Sequence, residues 1–144
     1  MLVSINPYLS FNGNCEAAFN FYQSIFGGEF DELMRYNDKD CFDKDIPESE
    51  KEKIAHISLQ LTEHVWLMGT DVSEYFETPA TFGDCVCLSI CAESKEETRR
   101  IYNDLSADGS IEQALEETSW ADLFAAFTDK FGICWSLSFA KKQS

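Results

Sequence analysis

A chain of 144 residues with 44% hydrophobic and 14% aromatic content, including twelve Phe, can bury one real core without staples and is too apolar to be disordered overall. Its 26 acidic and 11 basic residues give a net charge of -15, a field that repels phosphate backbones and anionic lipid, so no nucleic-acid or membrane partner is expected. No apolar run approaches the ~20 residues that span a bilayer, no basic region followed by an apolar block opens the chain, and no Cys pair has CxxC spacing; a cytoplasmic protein with free thiols is expected.

The first half reads as strand, helix and three strands. Val3, Ile5, Leu9 and Phe11 alternate with Ser4, Asn6, Tyr8 and Ser10, the pattern of a half-buried strand. Asn12 to Asn14 supplies turn and N-cap chemistry for a helix that places Ala18, Phe21, Tyr22 and Ile25 at three- and four-residue spacing and ends at Gly27-Gly28. Phe30 to Tyr36 is a second strand. Asp38 to Lys53, rich in charge and broken by Pro47, reads as an exposed acidic loop whose simplest role is solubility. Ile54 to Leu61 alternates again, and Val65 to Thr70 closes a hairpin with it; His56 falls on the third strand and His64 in the turn.

The second half repeats the order. Asp84 to Ala92 is a strand in which Val86, Leu88 and Ile90 alternate with Cys85, Cys87, Ser89 and Cys91. Ser94 caps a helix over Lys95 to Ala107, with Glu97 as a capping-box partner, and Asp108-Gly109 breaks it. Strands follow near Ile111 to Leu115, Leu123 to Thr128 and Ile133 to Ala140. Pairing Tyr22 with Tyr102 and Trp66 with Trp135 brings the halves into register as a tandem duplication, and sets both Trp residues in the core.

The segments INPYLSFNGNCEAAFNFYQSIFGGEF, IAHISL, LMGTD, ESKEE and FTDKFGICW resemble the PhnB-like branch of the glyoxalase, bleomycin-resistance and extradiol-dioxygenase superfamily, the vicinal oxygen chelate proteins. The resemblance covers nearly the whole chain. It implies an α+β fold of two tandem βαβββ modules, approximately 1–75 and 82–144 of a single domain, forming an open, barrel-like sheet around a cleft, and usually a homodimer. Members often carry a name referring to demethylubiquinone methyltransferase, but no glycine-rich nucleotide turn follows the first strand here.

The superfamily's usual chemistry depends on a divalent metal held by four His or Glu side chains from the first and last strand of each module. Those slots fall here at Asn6 or Pro7, at Leu67 or Met68, at Cys85 and at Ser136, and only Cys85 is a plausible ligand. No metal or other cofactor is therefore expected. A rebuilt site from Cys85, Cys87, Cys134 and His56 is the alternative, weighed against buried thiols acting as small hydrophobes and a hydrogen-bonded strand histidine. No GxSxG elbow accompanies the serines, and Glu116-Glu117 would point to opposite faces of a strand.

What this leaves is an amphipathic pocket. Asn6, Tyr8, Ser10, His56, Ser58, Gln60, Cys85, Ser89 and Ser136 are the expected ligand-binding residues on the polar strand faces, with Trp120 and Phe124 as an aromatic wall or, equally, as core or dimer packing. Two functions follow. One is metal-free binding of a small, partly aromatic molecule. The other is a lyase, isomerase or dioxygenase-like enzyme that uses a rebuilt Cys/His metal site or His56 as general base.

Overall fold

The computed structural model describes residues 1–38, 46–73 and 78–140. These form two compact units, Met1–Thr81 and Phe82–Ser144, each with the expected order of strand, helix and three strands. The first contains β1 (Tyr8–Phe11), α1 (Cys15–Phe26), β2 (Phe30–Arg35), β3 (Ile54–Gln60) and β4 (Trp66–Asp71). The second contains β5 (Leu88–Cys91), α2 (Lys95–Leu105), β6 (Ser110–Glu116), β7 (Leu123–Thr128) and β8 (Cys134–Phe139).

Each unit holds one four-stranded sheet, ordered β1-β4-β3-β2 in the first and β5-β8-β7-β6 in the second. In both, the module's first strand runs parallel to its last and the remaining pairs are antiparallel. The fold is thus α+β, two βαβββ modules with open-edged sheets and no closed barrel among the described residues. Both cores follow the same logic, with one sheet face turned to the helix. Phe11, Ile57, Leu59 and Leu67 meet Phe19, Tyr22 and Ile25 of α1, while Ala125, Phe127, Trp135 and Leu137 meet Ile101 and Leu105 of α2; all are buried.

The matching registers allow a residue-by-residue alignment of the modules. Across the first sheet runs the row Tyr8, Met68, Ser58, Glu32; across the second runs Ser89, Ser136, Ala126, Gln113. By the same alignment Trp66 corresponds to Cys134, and Trp135 to Leu67. Pairing Trp66 with Trp135 was off by one residue, and a one-residue slip on a strand changes the face. Trp135 is core, whereas Trp66 is half-buried on the face away from α1 and donates its indole N–H to Asp31.

Other sequence expectations are corrected locally. β1 does not begin at Val3: Val3 and Ile5 are exposed and the ladder starts at Tyr8. β5 likewise begins at Leu88, so Cys85 and Val86 lie outside the strand. The Asn14 side chain makes no cap bond; instead the Asp71 carboxylate, reaching from β4, accepts the N–H groups of Gly13 and Cys15, each at 2.9 Å. Ser94 does cap α2, its Oγ accepting the Glu97 N–H at 3.1 Å, but the Glu97 carboxylate pairs with Arg100 rather than closing a capping box. The acidic loop is not wholly solvated. Its 39–45 stretch lies outside the described residues, but Ile46 and Glu50 are buried, with the Glu50 carboxylate held by Ser73 Oγ at 2.9 Å and Lys53 Nζ at 2.5 Å.

Candidate functional site

The polar face of the first sheet carries the largest group of the expected site residues. Alternation on β1, β3 and β4 turns Leu9, Ile57, Leu59 and Leu67 toward α1 and leaves Tyr8, Ser10, His56, Ser58, Gln60, Met68 and Thr70 on the opposite face. Tyr8 is 52% exposed. Its hydroxyl lies 3.3 Å from His56 Nδ1, and the two rings are 5.7 Å apart at 30°. On the far side, His56 Nε2 stands 3.2 Å from Glu32 Oε2. Three residues from three strands therefore form one line, Tyr8 on β1, His56 on β3 and Glu32 on β2.

The hydrogen bonds of that line follow once Glu32 is taken as ionised and His56 as neutral. An ionised carboxylate only accepts, so Nε2 carries a proton toward Glu32. In the neutral imidazole Nδ1 is then the acceptor, and Tyr8 O–H donates to it. Strand alternation in the sequence marks His56 as a base or ligand and Tyr8 as a ligand contact. It does not mark Glu32, because nothing in an alternating strand says which surface carboxylate will meet a histidine on its neighbour.

The remaining residues divide. Ser10 is exposed beside Thr70, and Ser58 is buried in the Tyr8 row. Gln60 lies at the end of β3 with its Nε2 donating to Glu63 O at 3.4 Å. Asn6 is committed to structure, its Oδ1 accepting the Trp66 backbone N–H at 2.9 Å and so extending the β1–β4 pairing. His64 is an exposed turn residue, 3.8 Å from the Glu63 carboxylate.

In the second module, Ser89 and Ser136 are partners across β5 and β8, and Phe124 pairs with Ser138 on the same face. Trp120, 67% exposed, meets Phe124 edge to face with ring centroids 5.7 Å apart. Trp120 is therefore not core. Cys85 is exposed and off the ladder, two residues before Cys87.

Cys87 and Cys134 are joined as a disulfide with Cα atoms 4.6 Å apart, which corrects the expectation of free thiols throughout. Their adjacency follows from register, since each immediately precedes the paired Leu88 and Trp135. Among the described residues, Cys15, Cys85 and Cys91 remain as thiols. Burial pushes the Cys15 thiol far up from its ordinary value, with the nearby Asp71 and Glu16 charges adding to it, so it is inert packing. Asp129, buried in the second module, accepts the N–H groups of Phe131 and Ile133 and the Trp135 indole N–H at 2.8 to 3.1 Å; it too is structural.

The module alignment also bears on the four positions at which the resemblance would put a metal site. Asn6 faces Trp66 as Cys87 faces Cys134, so the residue equivalent to Asn6 is Cys87, two residues after Cys85. The donors at these places are an engaged carboxamide, the Met68 thioether, a disulfide sulfur and the Ser136 hydroxyl. Among the described residues, no three His, Cys, Asp or Glu side chains are grouped as a cation would need.

A family model described as 3-demethylubiquinone-9 3-methyltransferase matches residues 3–138. The chain belongs to that family. This PhnB-like chain is 30% identical to Protein YjdN of Escherichia coli (strain K12), over 96% of its own length and 97% of the relative's. Among solved structures it is similar to protein PA1353 from Pseudomonas aeruginosa, with a TM-score of 0.83 and 32% identity over 98% of this chain and 100% of the other. It is also similar to a putative 3-demethylubiquinone-9 3-methyltransferase, PhnB protein, from Bacillus cereus, with a TM-score of 0.78 and 28% identity over 94% and 98% of the two chains. The PhnB-like fold extends to a glyoxylase/bleomycin resistance protein/dioxygenase domain from Frankia sp. EAN1pec, at a TM-score of 0.65 and 12% identity over 98% of both chains, a likeness of fold alone.

Proposed function

We propose that this PhnB-like protein binds a small, partly aromatic molecule on the open face of its first sheet, with the superfamily's metal site degenerate. The observation that carries this reading is the exposed Tyr8 ring, oriented by His56, beside the Met68 thioether and the Ser10 hydroxyl. An aromatic surface with a few placed polar groups is the usual makeup of a small-molecule site. Loss of the metal is supported by the donors themselves. An engaged amide, a thioether, a disulfide and a hydroxyl cannot offset the dehydration of a divalent cation. The methyltransferase activity in the family's description is not carried over, since the sequence has no glycine-rich nucleotide turn after its first strand.

In this reading the Trp120–Phe124 pair and the Ser89–Ser136 row are a second contact face, in the other module of a single domain. The protein works as a homodimer, the assembly that the superfamily resemblance implies. No described helix is long and apolar enough to cross a membrane. A thermal-shift panel of phenols, aromatic acids and bicyclic aromatics tests the binding. At least one should stabilise the wild type and fail to stabilise Tyr8→Ala. Absence of any shift, or a shift unchanged in Tyr8→Ala, would overturn the assignment of the site.

A further inference from the structure

The first module's polar sheet face differs from the second's in the side chains it carries. At the positions equivalent to Tyr8, His56 and Glu32, the second module carries Ser89, Phe124 and Gln113. Not one of these can take up a proton near neutral pH, whereas the first module has a hydroxyl, an imidazole and a carboxylate within hydrogen-bond reach in series. The two copies share a fold, so the line is not a requirement of the fold.

We infer that Tyr8, His56 and Glu32 form a proton relay that deprotonates a phenol or enol hydroxyl bound on this face; the inference rests on the small-molecule reading above. The bound molecule's O–H donates to Tyr8 Oη. As that O–H bond breaks, its proton joins Tyr8 Oη while the tyrosine's own proton passes to His56 Nδ1. The tyrosine ends neutral, the ligand is an anion, and the positive charge rests on an imidazolium whose Nε2–H faces the Glu32 carboxylate. Atoms and charge balance, and no oxidant or metal is needed.

The surroundings favour this direction. Glu32 Oε2 lies 3.2 Å from His56 Nε2 and so holds the ring's orientation, as an orienting acid does for a catalytic histidine. Asp31, next along β2, is engaged by the Trp66 indole. Among the described residues of this module, Arg35 pairs with Glu16, Lys51 with Glu48 and Lys53 with Glu50. In this step the positive charge that meets the ligand anion is the one made on His56. A hydroxyl whose acidity is close to that of imidazole fits; a simple alcohol does not.

4-Nitrophenol reports both binding and ionisation, because only its phenolate absorbs in the visible. At a pH where the free compound is mostly protonated, wild-type protein should raise the phenolate band in proportion to the amount bound by equilibrium dialysis. Tyr8→Phe keeps the ring and His56→Gln keeps a polar contact. Both should still bind 4-nitrophenol but show no added phenolate band, and Glu32→Gln should weaken it. Binding without a phenolate band in the wild type, or an undiminished band in His56→Gln, would overturn the relay and leave the binding reading standing. No binding of 4-nitrophenol would overturn the relay's ligand class, while the binding reading itself falls only if the whole aromatic panel fails.

Discussion

Gly69 lies directly beneath the ring of Phe19, where a Cβ would stand 2.5 Å from Cε1 and 2.8 Å from Cζ. The equivalent position in the second module is Leu137, and there the helix offers Arg99 in place of Phe19. One module fills this layer from the helix and the other from the sheet. Gly69→Ala should therefore overpack the first core and cost roughly 1 to 3 kcal/mol. In urea denaturation, adding Phe19→Leu should recover part of that loss, so the double variant is less destabilised than the sum of the singles.

The Asp71 carboxylate joins three pieces of chain, with one oxygen serving Gly13 and Cys15 at the start of α1 and the other accepting the Ile54 N–H at 2.9 Å. Asp71→Ala would strand these donors in a buried place and should cost about 3 to 5 kcal/mol. Asp71→Asn keeps one acceptor oxygen and should fall between the wild type and alanine in the same denaturation experiment.

The cysteines separate by environment. Alkylation of the denatured, unreduced protein should leave Cys87 and Cys134 unmodified by peptide mass mapping. In the native protein Cys85 and Cys91 should react and buried Cys15 should not. The bridge closes a sequence separation of 47 residues, so reduction, or Cys87→Ser, should lower stability by roughly 2 to 4 kcal/mol.

Arg35 grips the Glu16 carboxylate with two nitrogens, at 3.2 Å and 2.6 Å, and its hydrogen bonds hold the Glu16 carboxyl below its ordinary value. A group whose folded pKa is depressed stabilises above its unfolded value, about pH 4.3, and loses that contribution as pH falls through the folded value. The Glu16 side chain is 46% exposed, so solvent screening keeps the contribution below about 1 kcal/mol. The urea midpoint of Glu16→Gln should lie below wild type at neutral pH and converge with it in acid.

Period carried the sequence reading a long way. Alternation and helical spacing located each of the described strands and both α-helices, and the repeat of strand, helix and three strands led to the fold. Facing was harder. Trp66 and Trp135 look equivalent in sequence, and only the ladder shows them one residue out of step. Exposed Val3 and Ile5 continue the alternation of β1 without a partner strand among the described residues, which no local pattern could reveal. Strand parity alone puts Tyr8, Ser10, His56 and Ser58 on one sheet face, as the ladder does. Glu32, Asp71 and Asp129 were hidden because a carboxylate in an acidic chain looks solvated until a neighbouring strand brings its partner.

The central claim is a PhnB-like fold that recognises its ligand without a metal. The most direct measurement is elemental analysis of protein purified without added metal, before and after exposure to excess divalent cations and desalting. The account predicts far less than one metal per chain in both samples. A stoichiometric divalent metal retained by the wild type and lost on substitution of His56, Met68 or Cys85 would contradict it.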